Sequence, residues 1–121
     1  MAGPIDGRRL LDAGCGDGIY LVEAARLGAQ ASGVDISEAM LRVARRRAAD
    51  AGATVDLHRA DLQELPFADD TFDVVRAITV LRFFPDPQRA VDEMARVLTP
   101  GGRLAIGELG RWSTWAAGRS S

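Results

Sequence analysis

The stretch LLDAGCGDGIY, residues 10–20, decides the fold of this chain. Its apolar start leads into a segment in which every second residue is glycine: Gly14, Gly16 and Gly18. An apolar run that ends in glycines is typical of a buried strand followed by a tight turn. Apolar residues then recur at helical spacing from Ile19 to Leu27, and Gly28 favours the end of a helix there. The stretch therefore predicts a strand, a glycine-rich turn and a helix, in that order.

The remaining sequence continues this alternation of strands and helices. The predicted strands are Arg8–Ala13, Gln30–Asp35, Thr54–Leu57, Phe72–Thr79 and Arg103–Leu109. A second helix is predicted after the N-cap Ser37 as far as Ala51, with Met40, Ala44 and Ala48 on its inner face and Arg42, Arg45, Arg46 and Arg47 on a solvated face. A third begins at Pro87 and stops at Thr99 and Pro100, with a buried stripe of Ala90, Val91, Met94, Val97 and Leu98.

This order of elements predicts βαβ units, which build a parallel sheet with right-handed crossovers. We expect an α/β, Rossmann-like, doubly wound fold with a mainly parallel sheet of about five strands. The 121 residues fit a single domain, residues 1–121, and residues 110–121 are expected to be a C-terminal tail.

Composition excludes several classes of protein. Hydrophobic residues make up 47% of the chain and charged residues 26%, which is typical of folded soluble domains. The formal net charge of -2 provides no general attraction to nucleic acid or to a membrane surface, so a small-molecule partner is favoured. One cysteine and one histidine are too few for an internal disulfide or a zinc cluster. With no apolar leader and no long apolar run, the expected location is cytoplasmic.

The glycine turn does not match two common nucleotide motifs. The dinucleotide fingerprint, counted from Gly14, requires a third glycine where the chain has Ile19. A phosphate-binding P-loop requires a lysine, and the chain contains none. Asp35, however, ends the second predicted strand, where an acid about 20 residues beyond the glycines binds ribose hydroxyls in this fold. The ligand is therefore expected to contain a ribose.

At this point the sequence resembles the class I S-adenosylmethionine-dependent methyltransferases, most closely the methyltransferase type 11 group. The resemblance covers about residues 8–109 and rests on five ordered segments: LDAGCGDG, GVDIS, ADLQELPFADDTFDVV, FFPDPQRAVDEMARVL and TPGGRLAIGE. It implies an enzyme that uses S-adenosyl-L-methionine as cofactor, releases S-adenosyl-L-homocysteine and methylates an unidentified small-molecule acceptor. It identifies no catalytic residue, and no metal is expected.

The resemblance also implies which residues bind the cofactor: Asp12, Ala13, Gly14, Cys15, Gly16, Gly18, Asp35, Ile36, Asp61, Leu62 and Ala77. Asp12 would hold the methionine part through its amino group or through water. Asp35 would bind the ribose hydroxyls, and Ile36 would pack on the adenine. Asp61, beside Leu62, would accept the adenine amino group, while Ala77 and its neighbours would line the methionine side.

Several of these residues have simpler structural interpretations. Asp35 could help to cap the helix after Ser37, and Asp61 could be an ordinary loop acid. Cys15, between glycines, is interpreted as a small packing residue rather than a nucleophile. His58 is interpreted as an ordinary strand or surface residue, because the sequence places no carboxylate or serine to make it a base.

The chain departs from the family pattern in its extent. Relatives usually carry a helical segment before the first strand and a sixth and seventh strand after the fifth, so this chain resembles a truncated or minimal core. The alternative function is therefore a module that binds S-adenosylmethionine or S-adenosylhomocysteine without turnover. An exposed edge of the fifth strand would favour a homo-oligomer. Trp112 and Trp115 would either cover that edge or contact a substrate.

Two local departures concern single segments. Arg76 interrupts a strand that is otherwise apolar, and it should meet a carboxylate or lie at the open end of the strand. LRFF, residues 81–84, replaces a histidine pair that many relatives have, so no role of those histidines is carried over.

Overall fold

The computed structural model describes residues 5–78, 84–108 and 111–116. Its strands are β1 (Arg9–Ala13), β2 (Gln30–Asp35), β3 (Val55–Arg59), β4 (Phe72–Ile78), β5 (Leu98–Glu108) and β6 (Arg111–Ala116). Its helices are α1 (Ile19–Arg26), α2 (Glu38–Ala51) and α3 (Pro87–Arg96). The strands form one sheet in the order β3-β2-β1-β4-β5-β6. Strands β1 to β5 are parallel, which confirms the predicted Rossmann-like α/β fold.

The last strand, β6, corrects the expected tail at residues 110–121. It pairs antiparallel with β5, from Arg103 opposite Ala116 to Glu108 opposite Arg111. Aromatic and hydroxyl residues in RWSTWA suit a strand. The β5 edge, on which the expectation of an oligomer rested, is therefore covered. The side chains of Trp112 and Trp115 are outside what the structure describes, so the predictions for them stay predictions. The residues Leu109 and Thr79, the predicted ends of two strands, also lie outside the described residues.

The beginning of β5 was also predicted wrongly. Leu98 was assigned to the third helix, but α3 ends at Arg96 and Leu98 pairs with Phe72 in the sheet. The carbonyl of Val97 accepts hydrogen bonds from the amides of Thr71 and Phe72, both at 2.8 Å, which draws this segment to the start of β4. The register then shifts, because Val74 pairs with Arg103. The strand therefore begins five residues before the predicted start.

Helix α2 has the predicted bounds, with one change in its inner face. The Ser37 hydroxyl accepts from the Met40 amide at 3.2 Å, and Gly52 ends the helix with a left-handed φ of 64°. The buried residues are Leu41, Ala44 and Ala48, whereas Met40 is exposed. Leu41 shares the buried face with Ala44, three residues on, and Met40 lies at the border of that face with 38% of its surface exposed.

Two clusters of buried side chains cover the two faces of the sheet. One joins β1, β4 and β5 to α3 through residues that include Leu11, Val75 and Met94. The other joins β1 and β2 to α1 and α2 through residues that include Leu10, Leu21 and Leu41. The carboxyl ends of the parallel strands remain at one edge, where this class of fold binds ligands. Within the described residues, no helix is both long enough and apolar enough to cross a membrane.

Candidate functional site

The glycine turn lies directly after β1 and is attached to the end of β2. The amides of Gly14 and Cys15 both donate to the Val34 carbonyl at 2.8 Å. Gly14 and Gly16 have φ angles of 78° and 55°, a region that residues with a Cβ rarely adopt. A Cβ at Gly16 would meet no described atom within 4 Å, and one at Gly14 would touch only the Leu62 side chain at 4.0 Å. The main chain of the turn therefore has open space in front of it.

Gly18, the last glycine of the turn, has a different structural role. A Cβ there would lie 2.8 Å from the Ala44 Cβ and 3.0 Å from its Cα. Glycine is thus required for α2 to approach the start of α1. Arg47 of α2 also donates from Nε to the Asp17 carbonyl at 3.1 Å, so this arginine holds the turn rather than lying only on a solvated face. Sequence spacing gave no sign of this contact, because it spans thirty residues.

Asp35, at the end of β2, joins the glycine turn to the start of α2. Its Oδ2 accepts from the Gly16 amide at 2.9 Å, and its Oδ1 accepts from the Ser37 amide at 2.9 Å. The capping interpretation therefore describes a real contact. A carboxylate has about four acceptor positions, so two amide donors leave acceptor capacity for a ligand. The same side chain can shape the turn and bind hydroxyl groups.

A cleft of about 500 Å³ opens between the carboxyl ends of β1, β2 and β3 and the segment that precedes α3. Five predicted site residues line it: Gly14, Asp35, Ile36, Asp61 and Leu62. Four further residues line it that the prediction had not named: Gln63, Ile78, Phe84 and Pro85. Ile36 is 60% exposed, which is unusual for an isoleucine and leaves an apolar surface at the cleft. Asp61 accepts from the Gln63 amide through Oδ1 at 2.8 Å, as a loop acid does.

A larger cavity of about 670 Å³ lies at the opposite edge of the sheet. It is lined by residues near the amino ends of β1 to β4, including Arg9, Ser32, Thr54 and Phe72. None of the predicted site residues lines it. The smaller cleft is therefore the candidate site, because it contains the glycine turn and the carboxylates.

Three predicted site residues have side chains in the core rather than in the cleft. Ala13 and Ala77 are completely buried, so neither presents surface to the cleft, and Ile78, the neighbour of Ala77, lines the cleft instead. Cys15 is also buried, and burial raises the pKa of its thiol to about 12, with Asp12 and Asp35 adding to the effect. The thiol therefore stays protonated, in agreement with a packing role.

Beside the turn, Asp12 of β1 and Arg76 of β4 form an ion pair across neighbouring strands. The Arg76 Nη2 lies 3.8 Å from the Asp12 Oδ2, which confirms that Arg76 meets a carboxylate. Asp12 is only 3% exposed, and this burial raises its pKa to about 6, although the positive charge of Arg76 lowers it and the negative charge of Asp35 raises it further. The carboxylate is therefore ionised, at a free-energy cost, near neutral pH.

His58 lies in β3, which extends beyond its predicted end at Leu57. Its Nε2 is 2.8 Å from the Asp56 Oδ2, so the expectation that no carboxylate accompanies it was wrong. The two side chains meet because alternate residues of a strand share one face. His58 is not among the residues that line the cleft.

The part of the chain that the structure describes contains no group of three or more His, Cys, Asp or Glu side chains placed to hold a metal ion. The chemistry of the cleft is that of main-chain amides, two carboxylates and apolar side chains.

The sequence of this chain is similar to those of known proteins. A family model described as a methyltransferase domain matches residues 11–106. The chain belongs to this methyltransferase family. It is 39% identical over 110 residues to the ubiquinone biosynthesis O-methyltransferase of Alkalilimnicola ehrlichii, covering 90% of this chain and 44% of that protein. It is 43% identical over 105 residues to the demethylmenaquinone methyltransferase of Clavibacter sepedonicus, covering 87% of this chain and 42% of that protein.

The methyltransferase domain also matches solved structures. The crystal structure of the cyclase SpnF superimposes with a TM-score of 0.80 and 37% sequence identity, covering 85% of this chain and 39% of that one. The chain thus spans less than half the length of the relatives named here. One of these relatives is named for a cyclisation rather than a methyl transfer, so membership of the family does not by itself define the reaction.

Proposed function

We propose that this domain binds S-adenosyl-L-methionine in the cleft beside the glycine turn and transfers its methyl group to a small-molecule acceptor. The observation that carries the proposal is the position of Asp35. Its carboxylate holds the Gly16 amide at 2.9 Å at the rim of the cleft, next to a turn with open space before it. A ribose on this carboxylate would lie against the main chain of the turn.

The adenosine part of the cofactor fits the residues of the cleft. Exposed Ile36 and buried Leu62 offer apolar surface for the adenine, and Asp61 offers an acceptor for its amino group. The cleft volume of about 500 Å³ lies within the range of small-molecule sites. These assignments of Asp35, Ile36, Asp61 and Leu62 follow the resemblance and are supported by their common position.

When bound, the cofactor would supply an electrophilic methyl group on a sulfonium leaving group. The chain would contribute by holding the methyl carbon in line with the acceptor atom, and such alignment can supply much of the catalysis. No covalent intermediate is required. Cys15, the one thiol of the chain, is buried with a raised pKa of about 12 and is unsuited to be a nucleophile.

The acceptor is proposed to be a small molecule with an apolar part. Ile78, Phe84 and Pro85 give one wall of the cleft an apolar character. The relatives from Alkalilimnicola ehrlichii and Clavibacter sepedonicus are named for ubiquinone biosynthesis and for demethylmenaquinone, which supports this class of acceptor.

A second candidate function is binding of S-adenosylmethionine or S-adenosylhomocysteine without methyl transfer. The similarity to the cyclase SpnF, at 37% identity, supports this candidate, because that relative is named for a reaction other than methyl transfer. An assay separates the two candidates: the protein is incubated with methyl-tritiated S-adenosylmethionine and an extract of low-molecular-weight compounds, and the tritium incorporated into those compounds is measured. Incorporation into a small molecule supports the transferase, whereas tight binding without incorporation supports the binding module.

Calorimetric titration tests the cofactor assignment itself. We expect S-adenosylmethionine and S-adenosylhomocysteine to bind and NAD not to bind. The Asp35→Ala variant should bind S-adenosylhomocysteine at least tenfold more weakly, because hydrogen bonds to a charged group contribute about 1.5 to 3 kcal/mol. Unchanged affinity in this variant, or binding of NAD alone, would refute the assignment.

A matched pair of glycine variants tests whether the ligand lies against the turn. Gly16 and Gly52 both have left-handed φ angles, 55° and 64°, and in both a Cβ would meet no described atom within 4 Å. Replacing either glycine by alanine should therefore lower the free energy of unfolding by a similar amount, about 1 kcal/mol. Only Gly16→Ala should weaken binding of S-adenosylhomocysteine. Equal affinities for the two variants would show that the ligand does not approach the turn.

A further inference from the structure

We infer that Arg76 binds the carboxylate at the amino-acid end of S-adenosylmethionine, with Asp12 beside it for the ammonium group. This inference rests on the proposed function and adds to it a residue that selects the ligand. Under it, the ion pair of Asp12 and Arg76 recognises a complete zwitterionic amino acid.

The position of the pair supports the assignment. Asp12 and Arg76 are register partners in β1 and β4. Asp12 is the penultimate residue of β1, and Arg76 lies two residues before the end of β4, so both are close to the ligand-binding edge of the sheet. Leu10 and Val74, two residues earlier on the same strands, both pack in the cluster on the α1 side of the sheet. Since alternate strand residues share a face, Asp12 and Arg76 also face α1, which begins directly after the glycine turn.

The reach of Arg76 places its charge at that junction. Its Nη2 donates to the carbonyl of Tyr20 at 2.8 Å, and its guanidinium carbon lies 6.0 Å from the centre of the Tyr20 ring. Tyr20 is the second residue of α1. The guanidinium therefore lies between the end of β4 and the first turn of the helix, and its side chain keeps 22% of its surface exposed.

The hydrogen bonding of this arginine is incomplete. Its distance of 3.8 Å from the Asp12 carboxylate is too long for a hydrogen bond. Its Nε is buried and has no hydrogen-bond partner within the described part of the chain. Leaving a buried donor unsatisfied is costly, and a guanidinium can hold a carboxylate through two parallel bonds. A ligand carboxylate that draws the guanidinium toward it would supply the missing acceptors.

The charges of the pair match the two ends of the site. The amino-acid part of the ligand carries one ammonium and one carboxylate, and the protein presents one carboxylate and one guanidinium beside each other. The carboxylates of Asp35 and Asp61, with Ile36, lie along the cleft for the adenosine part. Gly14, which lines the cleft, follows Asp12 by two residues and connects the two halves.

A purely structural role is the competing explanation, in which Arg76 only balances the charge of buried Asp12. The two explanations differ in which part of the ligand Arg76 affects. Charge balance alone should affect every ligand of the cleft equally, whereas carboxylate binding should affect only ligands with the carboxylate.

Three ligands and three variants separate these explanations. The ligands are S-adenosylhomocysteine, its decarboxylated form, which keeps the amine, and 5′-methylthioadenosine, which lacks the amino-acid group. Each is titrated by calorimetry into the unmodified chain and into Arg76→Met, Arg76→Lys and the control Arg103→Met. Arg103 is an exposed residue in the middle of β5, where it pairs with Val74, and its substitution serves as a matched loss of one positive charge.

The inference makes specific predictions for this set. Arg76→Met should bind S-adenosylhomocysteine at least tenfold more weakly, with the affinity for 5′-methylthioadenosine and for the decarboxylated form unchanged within about twofold. Arg76→Lys should restore part of the loss, and Arg103→Met should show none. The unmodified chain should prefer S-adenosylhomocysteine to its decarboxylated form at least tenfold, a comparison that requires no variant to fold.

Two results would overturn the inference while leaving the proposed function intact. One is equal weakening of all three ligands in Arg76→Met, and the other is equal affinity of the unmodified chain for S-adenosylhomocysteine and its decarboxylated form. Failure of the unmodified chain to bind any of the three would instead refute the proposed function, and this inference with it.

Discussion

Two arginines of this domain each meet carboxylates, yet their surroundings differ. Arg96 of α3 donates from Nε to the Glu93 Oε2 at 2.6 Å and from Nη2 to the Glu93 Oε1 at 3.1 Å. It also donates to the carbonyls of Phe67 and Leu65 at 2.8 and 3.0 Å. Arg76 meets its carboxylate at 3.8 Å, and its Nε is left without a described partner.

The difference separates a structural ion pair from one that a ligand can complete. Arg96 attaches the segment between β3 and β4 to α3, and its hydrogen bonds lower the pKa of Glu93, so that carboxylate is stabilised in its charged form. At Asp12 the effect is the opposite, because burial raises the pKa to about 6 despite the neighbouring cation. Unsatisfied, desolvated charges of this kind are more common at functional sites than elsewhere.

The largest expected effect on stability comes from breaking the Arg96 cluster, in which Arg96 binds Glu93, Asp69 and the carbonyls of Phe67 and Leu65. Arg96→Met removes hydrogen bonds to two carbonyls and to Glu93, and leaves that carboxylate partly buried without its partner. We expect the free energy of unfolding to fall by about 3 to 4 kcal/mol. Chemical denaturation measures this value. Arg46→Met is the control, because Arg46 is 85% exposed and its pair with Asp50 is long at 4.0 Å. A similar loss in both variants would contradict the structural role of Arg96.

The buried carboxylate of the Asp12–Arg76 pair should make the free energy of unfolding depend on pH. Because the folded pKa of Asp12, about 6, lies above its unfolded value of 3.8, the folded chain holds this proton more tightly. Its contribution to stability is therefore greatest below pH 4 and falls as the pH rises toward 6. Glu93 and Asp73 act in the opposite direction, since their pKa values are lowered in the folded chain.

Comparison with Asp12→Asn isolates the contribution of this one group. Between about pH 4 and pH 7, the variant should gain about 2 to 3 kcal/mol of unfolding free energy relative to the unmodified chain. Any constant cost of leaving Arg76 unpaired shifts the whole curve without changing this slope. Parallel curves would show that Asp12 does not titrate in this range.

The smallest expected effect concerns the exposed member of the Arg96 cluster. Asp69 accepts from Arg96 at 2.9 Å, but its side chain is 69% exposed. Exposed pairs contribute little, so Asp69→Asn should cost less than about 1 kcal/mol. Comparing the free energies of unfolding of this variant and of Arg96→Met shows whether the buried hydrogen bonds or the exposed ion pair contribute more to the stability of the Arg96 cluster. A loss as large as that of Arg96→Met would mean that Asp69 is its main partner.

The parts of the fold with local signals were predicted accurately from the sequence. Glycine at position 28, the cap Ser37 and glycine at position 52 mark helix ends, because capping depends on a few adjacent residues. The bounds of β2 and α2 match for this reason. The predicted positions of Asp35 and Gly16 at one edge also follow from the order of strand, turn and helix.

The parts that depend on distant contacts were not predicted. Leu98 continues the apolar stripe of α3 in sequence, but its pairing with Phe72 makes it the start of β5. Residues 111–116 form a strand that pairs with the edge of β5, a contact between segments that no local signal announced. The pairing of Arg76 with Asp12 depends on the register of strands that are 64 residues apart in the chain. Periodicity carries no information about such a register.

A crystal structure of the chain with S-adenosylhomocysteine tests the central claim most directly. It should show the ribose on Asp35, the adenine against Ile36 with its amino group near Asp61, and the ligand carboxylate within hydrogen-bond distance of Arg76. A ligand bound instead in the cavity at the amino ends of the strands, or in the cleft with its carboxylate away from Arg76, would contradict the account.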